Sequence, residues 1–487
     1  MGAISHLEPK LVMHWFEVIA SIPHGSLKEE KLSARIMEFA REKGLECVED
    51  EYHNVLVRKP ATPGYEGKDP VILQAHIDMV WAKEKDLDFD FETQGLNLAI
   101  DGDHIHASGT TLGADDGIGA AYMLAVLDSD DIAHPPIEAV FTTAEEIGLV
   151  GASHFDMSQL KGTRMINFDA GGFTEGRIYV GAGGGMKAEM THPAEFVPYE
   201  GSGQVVAITI DGLHGGHAGG DIGKGRGNSS VLMGRLMSLV TAEGNAQIAS
   251  YFSGDSGNPD NKYGIPAEAT VVAYVEDLDK LNEQIKAFEA NLKSELSDVD
   301  DGVKVHFESA TAEKSVLTAK SVEKTCDILA LLPNGVQTMQ RLFPDTPECS
   351  ANVGKVSIEN GVATYCLGIR CSKDSLSDFM AAKYLTIAKL TGCEVSFGLR
   401  MPGWDYSKES AIREVVDRQY KAQFGQPPRF KVTHAGTECS MFKLANPSLD
   451  IISMGPIIYE EHTPKEWMGI WSIGVLWDFL KNVLRQL

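Results

Sequence analysis

Residues 142 to 151 read TTAEEIGLVG, two carboxylates side by side just beyond the apolar run IEAVF at 137 to 141. Glu145 and Glu146 thus sit where a buried strand leaves its sheet, and neighbours at a strand end point in different directions. One can bind a cation while the other stays free to take a proton from a metal-bound water. Three more stretches end apolar runs the same way: His76 and Asp78 in LQAHIDMV, Asp115 and Asp116 in TLGADDGIG, and Asp169 in INFDAGG. In an open α/β sheet, ligand sites gather at the carboxyl ends of strands, so four such segments can converge on one crevice.

His76 and Asp78 are two residues apart, so on a strand they share a face and the carboxylate can hold the far nitrogen of the ring, the arrangement that orients a metal-bound histidine. A solvated histidine beside a capping aspartate is the plainer alternative. Asp115 and Asp116 stand between small residues at a helix start. One acid suffices to cap a helix; two adjacent acids repel unless a cation compensates.

The elements that must position these residues alternate between strand and helix from about residue 46 to 185, which implies an α/β sheet covered on both faces. Helical spacing marks LEPKLVMHWFEVIASI and EEKLSARIMEFAREKG before it. Between about 187 and 398 the character changes and the pattern strand, helix, strand, helix occurs twice. The first copy runs from QVVAITIDG to LKSEL, and the second from VKVHFES to AKYLTIAKL. After 399 the α/β character returns. The expected architecture is a catalytic domain with a central mixed sheet flanked by helices, formed by 1–186 and 399–487. It is interrupted by an inserted α+β lid, 187–398, of two ferredoxin-like βαββα-type copies.

HID, GADDG, TTAEEIGLVG, NFDAGG and a late EHTP at 461 to 464, in this order, resemble the dinuclear zinc metallopeptidases that include aminoacylases, carnosinases and bacterial dipeptidases. The resemblance covers essentially the whole chain, the long lid included. It implies two zinc ions, with cobalt or manganese as substitutes, bridged by Asp115. His76 and Asp169 would complete one ion, and Glu146 and His462 the other. Glu145 would be the general base and Asp78 the orienter of His76, with Asp116 behind the ligands. The family usually has a cis peptide after the bridging acid. An aspartate at 169 resembles the aminopeptidase and dipeptidase branches, which implies substrates with a free amino terminus, including Xaa-His dipeptides such as β-alanyl-histidine.

The same resemblance gives His217, in the GHAG of the lid stretch DGLHGGHAGGDIGKGRGNSS, the role of donor to the carbonyl oxygen in the transition state. Arg370 in LGIRCS would hold the substrate carboxylate by a bidentate fork, with Asn352 donating beside it. The backbone around Gly436 in GTECSMF would line the substrate pocket. If the lid copies pack as a pair, His217 serves its own chain, so a homodimer is possible without being needed for catalysis.

The whole chain sets bounds. At 487 residues it exceeds one core, and 69 acids against 43 bases give a formal net charge of −26, which repels nucleic acid and anionic membranes. Seven cysteines without a CxxC pair fit a reducing, cytoplasmic compartment better than a disulfide framework. The N-terminus has no signal-peptide pattern, and no apolar stretch reaches the ~20 residues of a membrane span. Two rival chemistries remain: an N-acyl amino acid hydrolase on the same dinuclear site, and a Cys439 nucleophile with His434.

Overall fold

Four apolar runs lie side by side as parallel strands in the order Ile137–Thr142, Val71–His76, Arg164–Asn167 and Asp450–Ser453. Their residues are almost all buried, which is why each reads as a continuous apolar run and not as an alternation. Further strands flank them, Val55–Lys59 and Glu46–Glu49 on one side, Arg177–Ala182 and Arg429–Thr433 on the other, completing an eight-stranded mixed sheet; Val55–Lys59 and Arg177–Ala182 pair antiparallel with the central four. This computed structural model describes residues 2–242, 244–254 and 261–487. The sheet belongs to the first of two compact units, built from Met1–Ala182, Trp404–Val432 and Thr437–Leu487.

Helices cover this sheet. Ala114–Asp128 is buried over nearly its whole surface, and its Gly117, Gly119, Ala120 and Ala121 suit an element enclosed all round. Asp115 and Asp116 at its start depart from helical angles, and the peptide bond between them is cis. Ala411–Phe424 is capped by the Ser410 side chain, which accepts from the Arg413 N–H, and it ends at Gly425 in the left-handed region.

The second unit comprises Gly183–Gly403 and Thr433–Gly436 and holds a nine-stranded antiparallel sheet. Two four-strand groups of the same order make eight of its strands: Lys304–Ser309, Gln204–Asp211, Glu268–Val275 and Ala246–Gly254, then Glu394–Met401, Gly184–Pro193, Val362–Cys371 and Pro347–Glu359; the ninth, Gly335–Met339, pairs with Pro347–Glu359. Each group carries two helices, Ser229–Thr241 with Leu278–Glu295 and Ala319–Leu331 with Asp374–Thr391. Side chains of Asn228, Asp277 and Thr318 cap three of these. Leu236, Leu281, Ile328 and Tyr384 from the four helices join the sheet residues in one apolar core.

Strand membership of the copies differs from the sequence pattern. VKVHFES does not open the second copy; Lys304–Ser309 pairs with Gln204–Asp211 and closes the first. The second copy takes Gly184–Pro193 as its opening strand, between Val362–Cys371 and Glu394–Met401. That strand precedes the whole first copy in sequence, so a search for tandem repeats cannot assign it. It also explains the glycines at 183 to 185: a Cβ on Gly185 would lie 2.0 Å from the Ile369 carbonyl oxygen. Among the described residues no helix is long and apolar enough to cross a membrane.

Candidate metal centre

The parallel strands deliver their acidic residues to one place. His76 is the last residue of its strand, Glu145 and Glu146 follow Thr142 by a few residues, and Asp169 follows Asn167. Ligand atoms of His76, Asp115 and Glu146 all lie within 4.8 Å of one another, the one such group among the described residues. His462, at φ +64°, adds its Nε2 to the same cluster, 2.8 Å from Glu146 Oε1.

Asp115 stands in the middle. Its Oδ1 is 3.3 Å from His76 Nε2 and its Oδ2 is 3.2 Å from His462 Nε2. Each oxygen of one carboxylate therefore addresses a different imidazole, as a carboxylate shared between two cations must. Despite its burial, hydrogen bonds from His462 and His76 hold the Asp115 carboxyl well below the usual range. The His462 ring, bonded to Asp115 and Glu146, is pushed up to about 11. Asp169 lies outside the tight group; burial, then the Asp115 charge, raises its carboxyl to about 8. Acids forced together in this way need positive charge. Three carboxylates and two imidazoles form a nitrogen and oxygen donor set that suits zinc, so the residues fit divalent cations.

Asp78 does more than its spacing implies. The strand stops at His76, so the two residues do not share a strand face. His76 Nδ1 meets the Asp78 backbone carbonyl at 3.1 Å and its carboxylate at 3.4 Å. The carboxylate also accepts the N–H of Glu145 at 2.9 Å, the N–H of Glu146 at 3.2 Å and the Ser26 hydroxyl at 2.7 Å. One buried acid thus fixes both the ring and the acidic doublet.

Burial raises the Glu145 carboxyl well above the usual range, the His76 charge opposing and the Asp169 and Glu438 charges adding to it. Asp116 is buried behind Asp115, and burial raises its carboxyl too. The sequence reading missed two supports. Buried Glu466 accepts the N–H groups of Leu112, Gly113 and Ala114 at 2.8 to 3.1 Å, holding the turn that presents Asp115. Buried Glu438 accepts from Gln74 and Thr142, both at 2.6 Å, and is raised to about 7 by burial. The acid of GTECSMF was the only sequence signal for Glu438. Cys439 is fully buried, and burial pushes its thiol well up, which disfavours the thiolate that a cysteine nucleophile needs.

In the second unit, Arg370 and Ser350 face each other across paired strands, and Ser350 Oγ lies 2.7 Å from His434 Nε2. Arg370 Nη2 is 3.5 Å from His217 Nε2. Asn352 spends both amide hydrogens on the carbonyls of Tyr263 and Gly264, at 2.9 and 2.8 Å. It shapes that loop, and the side-chain donation expected of it goes to the protein's own backbone. Gly436 lies in the Thr433–Gly436 segment, where a Cβ would lie 2.3 Å from Met401 Cε.

Residues 72–486 match the family model described as peptidase family M20/M25/M40. The chain is 35% identical over 492 aligned residues to the cytosol non-specific dipeptidase of Escherichia coli (strain K12), covering 100% of this chain and 99% of that protein. Among solved structures it resembles aminoacylhistidine dipeptidase from Vibrio alginolyticus, with a TM-score of 0.88 at 35% identity over 99% of this chain and 98% of that one. Aminopeptidase PepT from Bacillus cereus shares the fold at a TM-score of 0.60 and 16% identity, each chain covered to 99%.

Proposed function

The chain belongs to peptidase family M20/M25/M40 and is a metal-dependent hydrolase of dipeptides, and we propose that it acts through two zinc ions held by five side chains. Asp115 is shared, His76 and Asp169 complete one position, and Glu146 and His462 the other. The observation that carries this reading is the double engagement of Asp115, one oxygen toward each imidazole. Cobalt and manganese suit the same donors.

When bound, such ions supply Lewis acidity, polarising the scissile carbonyl and acidifying a water. Glu145 is the general base. Its backbone is fixed by Asp78, and a carboxylate at this place can accept the water's proton and return it to the leaving amine. His217 donates to the carbonyl oxygen as negative charge develops there, and Arg370 pairs with the carboxyl terminus of the substrate.

The substrates are dipeptides with a free amino terminus, Xaa-His dipeptides such as β-alanyl-histidine among them; Asp169 and the two 35%-identical relatives support this choice. The setting is the cytoplasm, which the E. coli relative's description and seven cysteines without a disulfide support. One chain suffices for catalysis, and a homodimer is compatible with it. The test is elemental analysis of the purified protein together with a panel of free and N-acylated dipeptides, before and after chelation. About two zinc ions per chain and chelator-sensitive turnover of free dipeptides are expected; turnover confined to the N-acylated set overturns the substrate assignment.

A further inference from the structure

The loop that carries His217 is tied at its base and again at its tip. At the base, the fully buried Asp300 carboxylate accepts the backbone N–H and ring Nδ1 of His214, both at 2.7 Å, and the N–H of Gly227 at 2.6 Å. At the tip, the His217 N–H donates to Asp221 Oδ2 at 2.8 Å, and the Asp221 N–H returns a bond to the His217 carbonyl at 2.9 Å. Lys224 Nζ donates to the other Asp221 oxygen at 2.6 Å. Within this clasp the Gly220 N–H donates to His217 Nδ1 at 3.1 Å.

A backbone amide can only give a proton, so this bond requires a lone pair on Nδ1 and leaves the neutral ring's proton on Nε2. Arg370 Nη2, 3.5 Å from Nε2, is also donor-only. The ring cannot accept at both nitrogens, and the shorter, well-defined bond from Gly220 decides between them. The His217 Nε2–H and the Arg370 guanidinium, both donors, therefore lie side by side. Gly219 permits the approach: a Cβ there would lie 2.9 Å from His217 Cε1 and 3.2 Å from Arg370 Cζ.

We propose that Asp221 is a positioning residue which, by holding the turn that aims the Gly220 N–H at Nδ1, fixes His217 as the Nε2–H tautomer that donates to the substrate oxygen. The proposal rests on the role given to His217 above. The wild-type enzyme itself supplies the first test. In long-range ¹H–¹⁵N spectra of the metal-loaded full-length protein, with His217 assigned by comparison with H217A, its Nδ1 should be pyridine-like and its Nε2 pyrrole-like. The opposite pattern overturns the proposal whatever any variant does.

Kinetics supply the second test. Asp221→Ala should lower kcat about 10- to 100-fold, with KM within about twofold, and mix the tautomer signals. Asp221→Asn keeps an oxygen that can accept the His217 N–H and should recover most of kcat and the pyridine-like Nδ1. A D221A enzyme with wild-type spectrum and kcat, or a D221N enzyme as impaired as D221A, removes Asp221 from the role. If H217A keeps its kcat while the wild-type tautomer is as expected, the oxyanion role of His217 fails and the positioning role falls with it, whereas the tautomer assignment stands.

Discussion

Glu145 and Glu146 are adjacent in sequence and diverge in the fold. Glu146 turns to His462 at 2.8 Å, while burial pushes the Glu145 carboxyl well up. The split predicts that Glu145→Ala retains the full metal complement and loses about 10²- to 10⁴-fold in kcat, by elemental analysis and steady-state kinetics; metal lost in step with activity contradicts it. At His434 the concern is pH. Burial, then the nearby Arg370 charge, lowers this histidine from its ordinary value to about 4. The unfolded chain protonates His434 near pH 6.5, and the folded chain does not until about pH 4. Its contribution is fully present above pH 6.5 and is lost as pH falls between those values, on the order of 3 kcal/mol in all. Between pH 7 and 5 the wild type should therefore lose more unfolding free energy than His434→Asn in denaturant titrations. Equal losses would refute it.

Among elements, the turn after the Val71–His76 strand ties the site together. Because Asp78 holds His76 and both N–H groups of the doublet, Asp78→Asn should cost metal affinity about 10- to 100-fold and kcat as well. If only metal affinity changes, the doublet does not depend on Asp78. The HxD spacing is legible in the sequence, but its geometry is not: the strand ends at His76, two residues too early for the two side chains to share a face. Which loop Asp78 meets depends on Ile137–Thr142 lying beside its strand, a neighbour relation that periodicity does not encode. The strand-end acids were legible because burial on both faces leaves an uninterrupted apolar run before each of them. Glu466 and Glu438 were not, because a single acid looks the same in sequence whether it meets solvent or a row of backbone amides. The second unit showed its repeat through helix and strand periods, and hid the exchange of Lys304–Ser309 for Gly184–Pro193 because pairing partners lie far apart in the chain.

For the molecule as a whole, metal binding links activity to stability. A centre that crowds Asp115, Glu145, Glu146 and Asp169 repels itself without cations, and ions that bind only the folded chain stabilise it by mass action. Chelation should abolish turnover and lower Tm by several degrees, and added Zn²⁺ should restore both; a chelator that stops turnover without moving Tm would show that the acids tolerate their own charge. The second unit raises a separate matter of construction. Residues 433–436 return to it after the chain has left at 403, bringing His434 to Ser350 at 2.7 Å. An excised 183–403 fragment is therefore one piece short, its serine facing a gap where the imidazole belongs. The insertion cannot be traded between relatives as a self-contained cassette unless four downstream residues travel with it.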